Sequence, residues 1–423
     1  MTNVVALDHS TDTENQAIAK LRERFAVVAS PDGRDKVRDL ENLSTPPHSN
    51  PRHLRTSYHA YGGQRPNPSD LFDKLEVIYA ETFQPGNPRR FIGPLGNRAL
   101  NLWTPPDLRP SGTRVTKEQV APFVEFMVRW FPNQEERKYA WQWITHAVRF
   151  PNKRIIATPL LRSDHGTGKG FFAECVMSGL LGKTSVANTT LKSVVGTHND
   201  ILEGKTLVII DELYKNGEST ANALKGIQGN KTFTLNRKYL PAISIDNYLN
   251  FIVTSNDTVP LDLEPEDRRF WVPQFIKHTV DKSETDRFLN DVLKPWLEDE
   301  GGFQMLRDYL EQIPLDDFRS TAPAPMTPSK QEMIGLNPKE ELAEFIADQI
   351  ADALVVKAAD IALAFRLEVE QDVSQPAVTK ELANKGCKRK KTDRGALWIT
   401  PKGLAAGLSI TSPAGELHKV YEG

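Results

Sequence analysis

Residues 160–181 read LLRSDHGTGKGFFAECVMSGLL, an apolar run that leads through a glycine-rich turn into an amphipathic segment. Glycine lets backbone N–H groups approach a phosphate closely, a helix N-terminus favours negative charge, and a lysine neutralises the terminal phosphates. The stretch therefore predicts a phosphate-binding loop between a buried strand and a helix. The residues predicted to contact the nucleotide are His165, Gly166, Thr167, Gly168, Lys169 and Gly170.

This loop departs from the pattern G-x-x-x-x-G-K-[ST] at two positions. Ser163 stands at the first glycine, and Gly170 replaces the serine or threonine whose hydroxyl normally holds magnesium. The loop alone therefore leaves open how magnesium is held. A glycine-rich strand-to-helix turn with an incidental lysine is the structural alternative.

A second apolar run, TLVIIDE at 206–212, ends in two adjacent carboxylates. An aspartate at a strand end can hold a metal ion directly or through water, and the following glutamate can orient and deprotonate the attacking water. Asp211 is therefore predicted as the Mg²⁺ ligand and Glu212 as the catalytic base of ATP hydrolysis. The alternative is a buried strand that ends in solvated acids.

Two further runs carry candidate catalytic groups. The run FIVTSN ends at Asn256, whose amide can hydrogen-bond a water or the terminal phosphate, although asparagine is also a common turn former. In the run DRRFWV, Arg268 or Arg269 can reach the nucleotide of a neighbouring subunit and stabilise transition-state charge. An intrachain salt bridge to Asp267 or Glu266 is the alternative for either arginine.

The composition is that of a globular protein with a packed core. The chain has 423 residues, of which 39% are apolar and 26% charged, and its net charge is -2, so contacts with nucleic acid require local basic clusters. The two cysteines, Cys175 and Cys387, are far apart, which favours neither a disulfide framework nor a zinc site. The absence of a signal-like start and of long apolar runs predicts a cytoplasmic protein without membrane contact, in the host cytoplasm if phage-encoded.

The runs HGTGKG, LVIIDE, FIVTSN and DRRFWV, in this order, resemble the superfamily three helicases of the primase-helicase type found in phages, plasmids and prophages. The resemblance covers residues 101 to about 328. It implies an AAA-type ring, usually a hexamer, that moves on single-stranded DNA and unwinds a duplex during replication. The resemblance also implies a role for each of these residues. Lys169 would contact phosphate, and Asp211 and Glu212 would bind the metal ion and the attacking water. Asn256 would be the sensor of the terminal phosphate, and Arg268 or Arg269 the arginine finger.

The predicted fold is α/β, with short buried strands and crossover helices in three layers. The resemblance implies that this core is a P-loop ATPase of the AAA type. Segment 69–83, SDLFDKLEVIYAETF, is predicted as a helix that Ser69 caps. The predicted divisions are an accessory, partly irregular region at 1–100, a helical adaptor at 101–150, the ATPase core at 151–278, a helical extension with a Pro-rich linker at 279–335, and a winged-helix-like DNA-binding domain at 336–423.

Two basic segments are candidate DNA contacts. Segment 231–241 predicts a hairpin strand with Arg237, Lys238 and Tyr239 at its tip, where cations can follow phosphates and an aromatic ring can stack on bases. The tail predicts three helices and a two-stranded wing. The basic residues expected on this wing are Lys388, Arg389, Lys390 and Lys391. A solvated hairpin and a protein-interaction domain are the respective alternatives.

Two function hypotheses follow. The first is an ATP-dependent helicase of a phage or other mobile element that acts as a homo-hexameric ring on single-stranded and forked DNA, with possible replication-initiation partners. The second, which Gly170 and the basic tail motivate, is an origin-binding or helicase-loading protein that uses nucleotide as an assembly switch. The first hundred residues contain no paired-carboxylate primase motif, which argues against a primase activity.

Overall fold

The computed structural model describes residues 9–30, 34–43, 47, 52–63, 68–211, 218–238, 241–261, 263–335, 338–369, 373–392, 395–410 and 417–419. In these residues, the strands are β1 (Phe25–Val28), β2 (Lys36–Asp39), β3 (Glu76–Ile78), β4 (Ala80–Thr82), β5 (Phe91–Ile92), β6 (Ala99–Asn101), β7 (Thr158–Arg162), β8 (Val186–Thr189), β9 (Leu207–Ile210), β10 (Thr232–Leu235), β11 (Ile243–Asp246), β12 (Asn250–Ser255), β13 (Phe270–Trp271), β14 (Val355–Val356), β15 (Lys388–Thr392), β16 (Gly395–Ile399), β17 (Leu408–Ile410) and β18 (Leu417–Lys419).

The α-helices of the same residues are α1 (His9–Arg24), α2 (Arg52–Ala60), α3 (Pro68–Phe72), α4 (Ala121–Trp130), α5 (Gln134–Arg149), α6 (Lys169–Phe171), α7 (Ser178–Leu181), α8 (Leu191–Val195), α9 (Glu218–Gly229), α10 (Lys282–Arg287), α11 (Lys294–Glu298), α12 (Gly302–Gln312), α13 (Pro328–Gly335), α14 (Pro338–Ala351), α15 (Ala358–Val369), α16 (Gln375–Asn384) and α17 (Pro401–Ala405). A π-helical turn joins α6 to α7, and another joins α10 to α11. None of the described helices combines the length and the apolar character that crossing a lipid bilayer needs.

The centre of the described chain is a parallel sheet with the strand order β13-β7-β12-β9-β8. Every residue of β7, β9 and β12 is buried, as the apolar runs at 154–161, 206–212 and 251–256 predict. Strand β12 comes late in the chain but lies between β7 and β9. The polar residues that follow these three strands therefore meet at one end of the sheet.

Helices cover both faces of this sheet, which gives three layers. Leu161 and Ile209 point to a core shared with α4, α5 and α12, whereas Leu160 and Ile210 point to a second core that includes Leu224 of α9. This alternation follows from the period of two in a strand. The segments 101–150 and 279–335 both contribute side chains to the first core and are packed directly against the sheet.

The first hundred residues contain more regular structure than the sequence predicts. Strands β2, β1 and β3 form one small sheet, and β4, β6 and β5 form another. The helix predicted over 69–83 is wrong beyond its first turns, because α3 ends at Phe72 and β3 and β4 follow. Strand β3 pairs in parallel with β1 and buries Ile78 completely, so tertiary pairing overrides the helical spacing of the apolar residues.

The carboxy-terminal segment contains the three helices and the hairpin that the sequence predicts. Helices α14, α15 and α16 precede the hairpin β15–β16, and β14 adds to it in the order β14-β16-β15. Its own small core includes Phe365 and Trp398.

The Pro-rich connector before this segment is attached to the end strand of the central sheet. The Ala324 N–H donates to the Arg268 carbonyl at 2.7 Å. Lys330 is fully buried, and its ammonium donates to the Asp267 carbonyl at 2.5 Å and lies 3.4 Å from the carboxylate of the same residue. These contacts hold residues 324–330 against the residues that precede β13.

Candidate functional site

The predicted phosphate-binding loop follows β7 directly and ends where α6 begins at Lys169. Gly166 has φ +84° and Gly168 has φ +100°, which are left-handed conformations that favour glycine. The Gly168 carbonyl accepts the first helical hydrogen bond, from the Phe172 N–H at 2.9 Å. Both glycines are therefore required by the turn itself.

The Lys169 side chain reaches back over this turn. Its ammonium donates to the Ser163 hydroxyl at 2.6 Å and to the Asn256 side-chain oxygen, and the Ser163 and Ser255 carbonyls lie 3.4 Å away. The Ser163 hydroxyl also accepts from the Thr167 hydroxyl at 2.8 Å. The serine that replaces the first glycine of the pattern is thus a buried acceptor for the lysine, a contact that the sequence pattern does not predict.

Asn256 follows β12, the strand between the loop and the predicted acid pair. Two residues earlier on the same strand, the buried Thr254 hydroxyl donates to the Asp211 carboxylate at 2.5 Å. The intervening strand therefore contacts Lys169 through Asn256 and Asp211 through Thr254. Sequence reasoning missed Thr254, although a threonine two positions before a candidate polar group lies on the same side of a strand.

Asp211 follows β9 and is half-buried, with its N–H donating to the Thr189 carbonyl at 2.9 Å. Glu212, the predicted catalytic base, lies outside the described residues. Magnesium in nucleotide sites binds one or two carboxylates, with phosphate oxygens and water as its other ligands. The Asp211 carboxylate suits this donor set. An ideal Cβ at Gly170 would meet no described atom within 4 Å, so water has room where the usual hydroxyl is missing.

Aromatic and imidazole side chains hold the loop from outside. The Trp130 indole N–H donates to the Thr167 carbonyl at 2.7 Å, and His278 Nε2 lies 2.9 Å from the His165 carbonyl oxygen. An ideal Cβ at Gly168 would lie 3.1 Å from Leu289 Cδ1 and 3.4 Å from Phe126, so Leu289 leaves little room for a side chain. Trp130 could be predicted only in general terms, since a buried indole usually finds an acceptor.

Arg268 and Arg269 lie at the opposite end of the sheet from the loop. They precede β13, and the Arg269 carbonyl accepts from the N–H of Thr158, the first residue of β7. The two arginines border an open cleft of about 560 Å³ together with Lys225. Within the described residues, the Asp267 carboxylate forms ion pairs with Lys225 and Lys330 but with neither arginine guanidinium, and it accepts from the Arg269 backbone N–H at 3.0 Å. The arginines are thus placed away from the loop of their own chain.

The predicted hairpin at 231–241 is present as the antiparallel pair β10–β11. Arg237 forms an ion pair with Glu203 at 3.4 Å. Burial raises the pKa of the Glu203 carboxyl, and the charges of Arg237 and Arg38 oppose this shift. Lys238 is exposed, and Tyr239 lies outside the described residues. Of the three residues predicted at the tip of the hairpin, Arg237 is therefore bound to Glu203.

The basic run of the carboxy-terminal segment forms β15, an end strand of its sheet. Lys388, Arg389, Lys390 and Lys391 are all exposed, and none forms an ion pair with a carboxylate among the described residues. Successive side chains of a strand point to opposite faces, so two of the four cations lie on each face of this end strand. The arrangement suits contacts with phosphates on either side of the hairpin.

Comparisons with known proteins find similarity to a family model and to a phage protein. A family of unknown function (DUF5906) matches residues 161–269. The DNA primase-polymerase of Nitratiruptor phage NrS-1 is 27% identical over 132 residues, which are 30% of this chain and 18% of that relative. The match therefore spans less than a fifth of the relative's length.

The fold resembles that of a solved region. The apo structure of the NrS-1 C-terminal region (305-718) has a TM-score of 0.61 at 16% identity, over 92% of this chain and 99% of that one. The A form apo structure of the same region has a TM-score of 0.60 at 16% identity, over 90% and 98% of the two chains. The chain thus has a mixed α/β fold with a parallel sheet, similar to that of the NrS-1 C-terminal region.

Proposed function

We propose that this chain is an ATP-dependent DNA helicase of a phage or other mobile element. The observation that carries the proposal is the arrangement of Lys169, Asn256 and Asp211 after three adjacent parallel strands, with Asn256 on the strand between the other two. Groups that follow parallel strands meet at the end of the sheet where α/β proteins bind nucleotides.

The residues of this site have complementary roles in the proposed reaction. The loop amides and the Lys169 ammonium bind and neutralise the phosphates, as anion sites at helix N-termini do. Asp211 would hold Mg²⁺, which when bound neutralises charge on the phosphate oxygens. Glu212 takes the proton of the attacking water, and the Asn256 amide orients that water or the terminal phosphate.

The proposed assembly is a homo-hexameric ring. Because Arg268 and Arg269 lie at the far end of the sheet from the loop, either can serve only the nucleotide of a neighbouring subunit. Single-stranded and forked DNA would contact Lys238 and Tyr239 of the hairpin and the basic residues of β15. Replication-initiation proteins are possible further partners. In this proposal the AAA-type core and the winged-helix tail act in the cytoplasm of the host.

The match to a phage DNA primase-polymerase supports a role in phage DNA replication. The likeness to the NrS-1 C-terminal region extends over 92% of this chain and concerns the fold alone.

A strand-displacement assay on forked DNA, run beside a DNA-stimulated ATPase assay, tests the proposal. We expect ATP-dependent separation of the strands by the wild-type chain and loss of both activities in Glu212→Ala, because the variant lacks the base that activates water. Unchanged turnover in Glu212→Ala would contradict the assignment of this residue.

The same assay tests the second candidate function, a nucleotide-switched origin-binding or helicase-loading protein. Gly170 favours this candidate because it lacks the hydroxyl that normally holds the metal ion. ATP-dependent oligomers that fail to separate strands would support it over the helicase.

The basic strand β15 provides a separate prediction. We expect Lys388→Ala combined with Lys390→Ala to weaken DNA binding to a similar extent for all sequences, and to reduce the salt dependence of log K by about 0.7 to 0.9 per lost phosphate contact. Fluorescence anisotropy at several salt concentrations measures both quantities.

Lys402→Ala is the matched control for β15, since this exposed lysine of the same segment pairs with Asp352 at 2.8 Å. Unchanged affinity and salt dependence in the double variant would instead favour a protein-interaction surface.

A further inference from the structure

A second lysine lies beside the predicted phosphate-binding loop. Lys282 is the first residue of α10, and an ideal Cβ on Gly166 would lie 2.7 Å from its Cε and 3.5 Å from its Nζ. The aliphatic end and the ammonium of Lys282 therefore sit directly on the backbone of the loop. Lys282 is more than a hundred residues from Gly166 in the chain, and no motif indicates the contact.

The segment that carries Lys282 is held against the loop by backbone contacts. The Ile276 N–H donates to the Arg162 carbonyl at 2.9 Å, and the Ile276 carbonyl accepts from the Asp164 N–H at 3.0 Å. Further along, His278 Nε2 lies 2.9 Å from the His165 carbonyl oxygen. These contacts hold residues 276–278 alongside residues 162–165, and Lys282 follows four residues later at the start of α10.

The charge of Lys282 has no protein counterpart among the described residues. The side chain is exposed and forms no ion pair with a described carboxylate, whereas Lys169 is half-buried and hydrogen-bonded. A triphosphate carries several negative charges, and the loop itself contains one lysine and no hydroxyl after it. A second ammonium beside Gly166 would balance negative charge of the phosphates that Lys169 alone does not neutralise.

We propose that Lys282 is a second phosphate-binding residue of the nucleotide site, contacting the terminal phosphates from the side opposite Asn256. The inference rests on the proposed function, since it assumes that the loop binds a nucleoside triphosphate. Lys282 reaches the site from the segment after β13, so it binds the phosphates as part of a different element from Lys169. Its contribution grows with the number of phosphates on the ligand.

The test is the binding of ATP, ADP and AMP to Lys282→Met, measured by isothermal titration calorimetry on the full chain. Methionine keeps the apolar length of the side chain and removes its charge. We expect about 10- to 100-fold weaker ATP binding, the range of a charge-assisted hydrogen bond. The loss should be smaller for ADP and absent for AMP, and Lys282→Arg should restore most of the ATP affinity.

Lys277→Met is the matched control, because Lys277 is an exposed lysine of the same segment. Equal ATP affinities for Lys282→Met and Lys277→Met, with ATP binding lost in Lys169→Ala, would overturn this inference and leave the proposed function standing. A wild-type chain that binds none of the three nucleotides would overturn both. An equal loss for ATP and AMP would also overturn it, since it would indicate a structural role for Lys282.

Discussion

Replacing Lys169 with alanine is expected to lower kcat/KM for ATP hydrolysis by about 100- to 1000-fold, the usual effect of losing one preorganised donor at a site of developing charge. The ammonium is positioned before the nucleotide binds, because it donates to the Ser163 hydroxyl and to Asn256. Ser163 directly follows β7 and Asn256 directly follows β12, so the two acceptors lie at the end of the sheet that holds the site. A steady-state ATPase assay with and without single-stranded DNA measures the effect.

Lys183→Ala is the control for this substitution. Lys183 is an exposed lysine just after the helical segment that Lys169 begins, so its removal changes the net charge equally but leaves the loop intact. We expect wild-type turnover in this variant. Turnover in Lys169→Ala that equals the control would show that the loop does not bind the reacting phosphates.

The second large effect is expected for Asp211→Asn. The asparagine has the shape of the aspartate, and its side-chain oxygen can still accept the hydrogen bond from Thr254. The substitution removes the negative charge that attracts a divalent cation and replaces one acceptor oxygen with an amide NH2 group. We expect Mg²⁺-dependent ATP hydrolysis to fall at least about 100-fold, since a bound metal ion contributes several kcal/mol to stabilising transition-state charge.

Titration of ATPase activity against Mg²⁺ concentration tests this role of Asp211, and Mg²⁺-free binding of ATP provides an internal check. Nucleotide binding without metal should remain, because Lys169 and the loop amides are unchanged. Asp246→Asn is the control, an exposed aspartate at the end of β11. The same Mg²⁺ dependence in Asp211→Asn as in wild type would place the metal ligand elsewhere.

Local sequence was sufficient to predict the buried strands of the central sheet and the turn that follows β7. Strands β7, β9 and β12 each contain a short apolar run, and a short run bounded by glycine or charge predicts a buried strand. The loop glycines are predictable for the same local reason, since their left-handed backbone excludes most other residues. The helix predicted at 69–83 failed because Val77 and Ile78 also fit a strand, and the partner strand β1 lies far away in the sequence.

The candidate site divides in the same way. Asp211 and Asn256 could be named from sequence because each stands at the end of an apolar run, and Lys169 because it ends the glycine-rich turn. Thr254, Trp130 and Lys282 could not, because each reaches the site through a packing contact with a distant segment. The sequence also names the predicted finger arginines, Arg268 and Arg269, but it does not show at which end of the sheet they lie.

By itself, the sequence determined that a glycine-rich turn joins a buried strand to a helix, and that polar residues end the other buried strands. These are properties of short segments, governed by backbone sterics and by the burial of apolar side chains. Only the tertiary structure decided that β12 lies between β7 and β9, which brings Asn256 onto Lys169 and Thr254 onto Asp211. Strand order depends on how crossover helices pack on the two faces of the sheet, and that packing joins residues far apart in the chain.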